Sequence, residues 1–84
     1  MSYSIEILRV AQKQLARIDR GQQQRIITAI RSLATDPRPS GCKKLSGRPA
    51  WRIRIGSYRV IYEIRDEQLL VLVVTIGNRK DAYR

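Results

Sequence analysis

Arg52, Arg54 and Arg59 alternate with apolar residues in the stretch WRIRIGSYRVIY, Trp51 to Tyr62, and no acid stands among them. In an extended strand Trp51, Ile53 and Ile55 share one side, and Arg52 and Arg54 share the other, about 7 Å apart. Gly56-Ser57 reads as a tight connection that folds the next strand back, which brings Arg59 near the first two. Guanidinium groups held this close repel one another, and their planar forks match phosphate oxygens in pairs. The chemistry open to such a cluster is electrostatic: gripping a phosphodiester and stabilising the extra charge as phosphorus becomes five-coordinate. Arg79 and Lys80 follow the last apolar run and add two cations, and Tyr83 adds an aromatic ring and a hydroxyl.

Other chemistry falls away by elimination. The chain has no histidine, so imidazole acid–base pairs and serine-protease triads are absent. One cysteine, Cys42, and no histidine leave no zinc set, and Cys42 lacks the usual activating base. The acids Glu6, Asp19, Asp36, Glu63, Asp66, Glu67 and Asp81 are scattered, which argues against a magnesium nuclease. No glycine-rich phosphate loop occurs. Neither a metal nor a cofactor is expected. RNA would bring its own nucleophile, the 2′-hydroxyl, provided it is held in line with the adjacent phosphate. Arginine stays protonated to a pKa above about 12, so Tyr83, a lysine or the surroundings of the substrate must move the proton.

Charge points to the partner. Lys and Arg number 17 against 7 Asp and Glu, for a net charge of +10. Lys43, Lys44, Arg48, Arg52, Arg54 and Arg59 fall between Lys43 and Tyr62 with no acid among them. Nucleic acid leads over an acidic protein or an anionic membrane, because arginine outnumbers lysine. Singly, each of these arginines reads as a solvated side chain or a surface ion pair, Arg59 with Glu63 or Asp66. As a group without acids they favour a binding role.

The elements that must position them follow from periodicity. Eighty-four residues make one domain, residues 1–84. Tyr3 to Leu8 alternates as a first strand. Ala11, Leu15 and Ile18 mark one helical face, and Ile26, Ile27, Ile30, Leu33 and Ala34 mark a second, with a break at Asp19-Arg20-Gly21. Together these form a helical hairpin, ended by the proline- and glycine-bearing loop Thr35 to Gly41. Strands are expected at Trp51–Ile55, Tyr58–Ile64 and Leu69–Ile76, an antiparallel meander whose last member is apolar enough to be covered on both sides. The fold class is α+β: an N-terminal strand, a helical hairpin, then the meander, with helices on one face of a mostly antiparallel sheet. A single cysteine and no secretory signal or membrane-length apolar run point to the cytoplasm.

The order of these segments, with WRIRIGSYRVIYEI followed by LVLVVTIGNRKDAY, resembles the RelE/ParE superfamily of toxins from toxin–antitoxin pairs along essentially the whole chain. The resemblance implies a RelE-like fold and, for the RelE branch, cleavage of messenger RNA in the decoding site of a translating ribosome. It implies that Arg52 and Arg54 hold the backbone and the reacting 2′-hydroxyl. Arg59 would neutralise the scissile phosphate, Arg79 assist the leaving oxygen, and Tyr83 stack on or orient a base. Lys43, Lys44, Arg48 and Lys80 are the candidate nucleic-acid contacts around that set. Relatives often carry lysine at the first pair, and arginine here is a poorer proton acceptor. The implied partners are a small acidic RelB-like antitoxin in a hetero-oligomer, and the ribosome with its message. Two other readings stand beside this: a ParE-like inhibitor of DNA gyrase without nuclease activity, and a basic nucleic-acid or ribosome-binding module.

Overall fold

Asp19 decides where the helical hairpin turns. In the computed structural model, which describes residues 2–78, its side chain accepts a hydrogen bond from the Gln22 N–H at 3.1 Å. An aspartate in this role starts a helix at the next residue. Helix α2 therefore spans Arg20–Ser32, and α1 spans Arg9–Ala16. The break expected at Asp19-Arg20-Gly21 moves back to residues 17–19, with Arg20 and Gly21 inside the first turn of α2. The apolar stripes pack on the sheet, leaving Ala11, Ile26, Ile30 and Leu33 buried.

Five strands form one sheet: β1 (Ser4–Ile7), β2 (Lys43–Lys44), β3 (Trp51–Ile55), β4 (Tyr58–Arg65) and β5 (Leu70–Asn78). The strand order is β1-β5-β4-β3-β2. The antiparallel meander is as expected from β3 to β5, and β2 extends it by two residues, Lys43 and Lys44, that sequence periodicity did not mark as a strand. β1 adds to β5 in parallel, and the helical hairpin leads from β1 to β2 at the opposite edge, covering one face of the sheet. Two residues, Gly56 and Ser57, join β3 to β4. Gly56 takes φ +59°, the left-handed sign that a two-residue hairpin needs at its first central position.

A bulge keeps the last strand in phase with the core. Ile61 pairs with Thr75 but Tyr62 pairs with Val73, so Val74 is the extra residue. Without that insertion, Val73 and Ile76, three apart, would face opposite sides. With it Val71, Val73 and Ile76 all join Ile53, Ile55, Val60 and Tyr62 beneath the helices. β5 is an interior strand, but Leu70, Leu72 and Val74 are only half-buried, so burial is complete on the helix side alone. Leu69, expected in this strand, takes φ +49° after the single 3-10 turn Asp66–Gln68, and the strand starts one residue later.

A polar clasp holds the proline loop to the sheet. Arg38 donates to both oxygens of Asp66, at 2.8 and 3.3 Å, and Tyr3 donates to the same carboxylate at 2.6 Å. The Arg38 guanidinium lies 5.2 Å from the centre of the half-buried Trp51 ring. The fully buried Tyr62 donates its hydroxyl to the Pro37 carbonyl at 2.8 Å. This clasp absorbs Asp66, and Glu63 is taken by Arg65 at 3.0 Å. Both acids considered from sequence as partners of Arg59 are engaged by other arginines. Among the described residues no helix is long and apolar enough to cross a membrane.

Candidate nucleic-acid interface

The β3–β4 ladder sets Arg54 directly opposite Arg59, and the β2–β3 ladder sets Lys43 directly opposite Arg52. Both pairs point away from the helices, because Ile53, Ile55 and Val60 of the same strands are in the core. Cross-strand partners lie about 4.5–5.5 Å apart at Cβ, and like charges so placed destabilise a sheet by roughly 0.2–1 kcal/mol. A wet sheet face built only for stability would place an acid in each pair. This one has two like-charge pairs side by side.

The two members of the Arg54–Arg59 pair differ in depth. Arg54 is exposed, whereas Arg59 is 4% exposed and is engaged by the protein around it. Burying a guanidinium costs several kcal/mol that its surroundings must offset, and a valine there would be cheaper. Next to Arg59 on β5 is Gly77, which brings no side chain. A cleft of about 300 Å³ opens at this end of the sheet, lined by Arg54, Gly56, Ser57, Tyr58 and Arg59. Arg52 is half-buried and lies across β4 from the buried Ile61, one step further from the turn.

The remaining candidates separate. Lys44 and Arg48 line a second depression with Leu45, Ser46, Gly47 and Pro49, at the opposite end of β3 from Gly56. Lys43 stands between the two groups, beside Arg52. Arg79, Lys80 and Tyr83 lie outside the described residues. Asn78, at the end of β5, lies opposite Tyr58. Among the described residues no group of three His, Cys, Asp or Glu side chains could hold a metal ion.

Two residues at this end were not singled out by sequence. Tyr58 walls the 300 Å³ cleft and also a neighbouring one of about 270 Å³ that contains Arg17 and Asn78. The place of Tyr58 immediately after the turn was the available signal. Arg17 had none, because its helix meets the sheet only in the folded chain. A third cation, Arg25 of α2, reaches the turn from the helix side: its Nη1 lies 3.6 Å from where a Cβ on Gly56 would stand.

Comparison with known proteins agrees with this architecture. Residues 5–83 match the family model described as the ParE toxin of the type II toxin–antitoxin system, parDE. The chain is 25% identical to a RelE-like toxin protein of Escherichia coli, covering 99% of this chain and 92% of the relative. It is 27% identical to a RelE1 toxin of Methanocaldococcus jannaschii, covering 100% of this chain and 98% of the relative. Among solved structures, the archaeal RelE–RelB complex of Pyrococcus horikoshii superposes with a TM-score of 0.85 at 25% identity, covering 98% of this chain and 100% of that one.

Proposed function

From the premise that the chain belongs to the ParE toxin family of type II toxin–antitoxin systems, we propose that it is an endoribonuclease that stops translation by cutting messenger RNA. The observation that carries this reading is the Arg54–Arg59 pair beside a cleft with no acid among the described residues that line it. A phosphate between two guanidiniums removes their repulsion, and the gain grows as the phosphorus takes on a fifth oxygen and more charge. The 2′-oxygen forms the new P–O bond, the bond to the 5′-oxygen breaks, and the products are a 2′,3′-cyclic phosphate and a 5′-hydroxyl. The proton of the 2′-hydroxyl leaves as the departing 5′-oxygen gains one.

Arg52 and Arg54 hold the backbone and the 2′-hydroxyl in this scheme, and Arg59 neutralises the phosphate. Arg79 assists the leaving oxygen and Tyr83 orients a base. The surrounding cations Lys43, Lys44, Arg48 and Lys80 track the neighbouring phosphates. Arginine gives the site charge without a base, so in-line geometry must come from elsewhere. A ribosome holding the message in its decoding site supplies such positioning, worth several orders of magnitude in rate. The protein works in the cytoplasm and is held in check by an acidic, RelB-like antitoxin in a hetero-oligomer. Two findings support that partner: the net charge of +10 and the RelE–RelB complex that shares the fold. Adding the purified protein to ribosomes stalled on a defined message tests the reading: a cut within the bound codon supports it, and uncut message refutes it.

One observation favours a second reading. The matching family model is that of ParE toxins, and a ParE-like inhibitor of DNA gyrase would leave messages whole. Inhibition of purified gyrase supercoiling by this protein, with messages uncut, selects that reading.

A further inference from the structure

Tyr58 stands between two clefts, and the proposed cleavage site uses only one of them. The first is the 300 Å³ cleft beside Arg54 and Arg59, and the second is the 270 Å³ cleft between α1 and β5. The second is lined by Arg17 and Ile18 from the end of α1, by Tyr58, and by Ile76 and Asn78 of β5, among others. No acid lines it. Gln14 on its wall is already committed, because its Oε1 accepts from the Ile76 N–H at 2.8 Å. Arg17 is exposed, and among the described residues it has no acidic partner. The ladder sets Tyr58 opposite Asn78 at the end of the sheet, where Tyr58 packs against the core on the helix side and lines both clefts.

Resting on the cleavage reading above, we propose that the α1–β5 cleft is a subsite for the next nucleotide of the bound RNA strand. Tyr58 is its stacking surface and Arg17 its phosphate contact. An aromatic ring next to a cation is how sequence-tolerant single-strand sites are built, because every base offers a π-face and every linkage a phosphate. The strand thus turns around the Gly56 end of the sheet, leaving one phosphate at Arg54 and Arg59 and the next at Arg17. Binding on both sides of Tyr58 would hold the backbone bent at the reacting linkage.

The test is an NMR titration of the full chain with 2′-O-methylated RNA oligonucleotides of two, three and four nucleotides, which cannot be cut. Wild-type protein gains about ten-fold in affinity from the third nucleotide. Arg17→Gln and Tyr58→Leu abolish that gain, and Arg17→Gln leaves dinucleotide binding unchanged. Arg17→Gln also lowers the salt slope of trinucleotide binding by about 0.7. If Tyr58→Leu fails to fold, Arg17→Gln and its salt slope decide alone. A gain that survives in the variants, or is absent in the wild type, overturns the subsite. Dinucleotide binding serves as the control for the cleavage site. If it depends on Arg54 while the gain ignores Arg17 and Tyr58, only the subsite falls. If it ignores Arg54→Gln while the gain still needs Arg17 and Tyr58, the subsite holds and the cleavage reading falls. Absence of binding to every oligonucleotide overturns both.

Discussion

Arg54 and Arg59 face each other directly across the β3–β4 ladder, one exposed and the other 4% exposed. Like charges directly opposite each other cost a sheet roughly 0.2–1 kcal/mol. Arg54→Gln should therefore leave the melting temperature unchanged or slightly raised. The same change should slow message cleavage by about 10²–10³-fold, the usual loss when one charge-stabilising donor is removed. Calorimetry and single-turnover cleavage on programmed ribosomes check the two halves.

Gly56 isolates a backbone effect. Its φ of +59° suits glycine, while the nearest atoms to an added Cβ, at 3.6 Å, are in ordinary contact. Gly56→Ala should cost about 1–2 kcal/mol through the left-handed conformation alone. A domain of this size then melts lower by roughly 4–8 °C per kcal/mol. An unchanged melting temperature would mean that the turn adopts another form in solution.

Tyr62 couples the sheet to the proline loop, and its response to alkali has a definite sign. Burial is the main cause that pushes its phenol well above the ordinary value, so the fold favours the neutral form. That stabilisation is complete below the unfolded pKa of about 10 and declines as pH rises beyond it. Tyr62→Phe should cost about 1–3 kcal/mol near neutrality, because the buried Pro37 carbonyl loses its donor. It should also flatten the alkaline fall in stability, measured by denaturant unfolding between pH 8 and 11.

Asp66 works at the other end of the scale. The Arg38 hydrogen bonds, and then that of Tyr3, hold its carboxyl below the ordinary range. Its contribution is present above the unfolded value of about 3.9 and disappears as pH falls through the lower folded value. Asp66→Asn should melt below the wild type at pH 7, with the gap closing in acid. A gap that widens in acid would contradict the clasp.

The alternation of Trp51 to Tyr62 carried the face of each arginine, because a period of two allows one assignment once the apolar side is known. The cross-strand partners were not legible. Placing Lys43 opposite Arg52 needed β2, a two-residue strand with no periodicity to detect. Of the break expected at Asp19-Arg20-Gly21 only Asp19 stays outside the helices, because its cap on the Gln22 N–H starts α2 at Arg20. The parallel β1–β5 pair and the bulge at Val74 are properties of the assembled sheet, as is the cleft shared by Arg17 and Tyr58.

Mapping messenger 5′ ends genome-wide, minutes after induction without antitoxin, tests the central claim most directly. Cuts inside translated regions, set at a constant position within the codon and lost with Arg54→Gln, are the predicted result. Growth arrest with intact messages would contradict it.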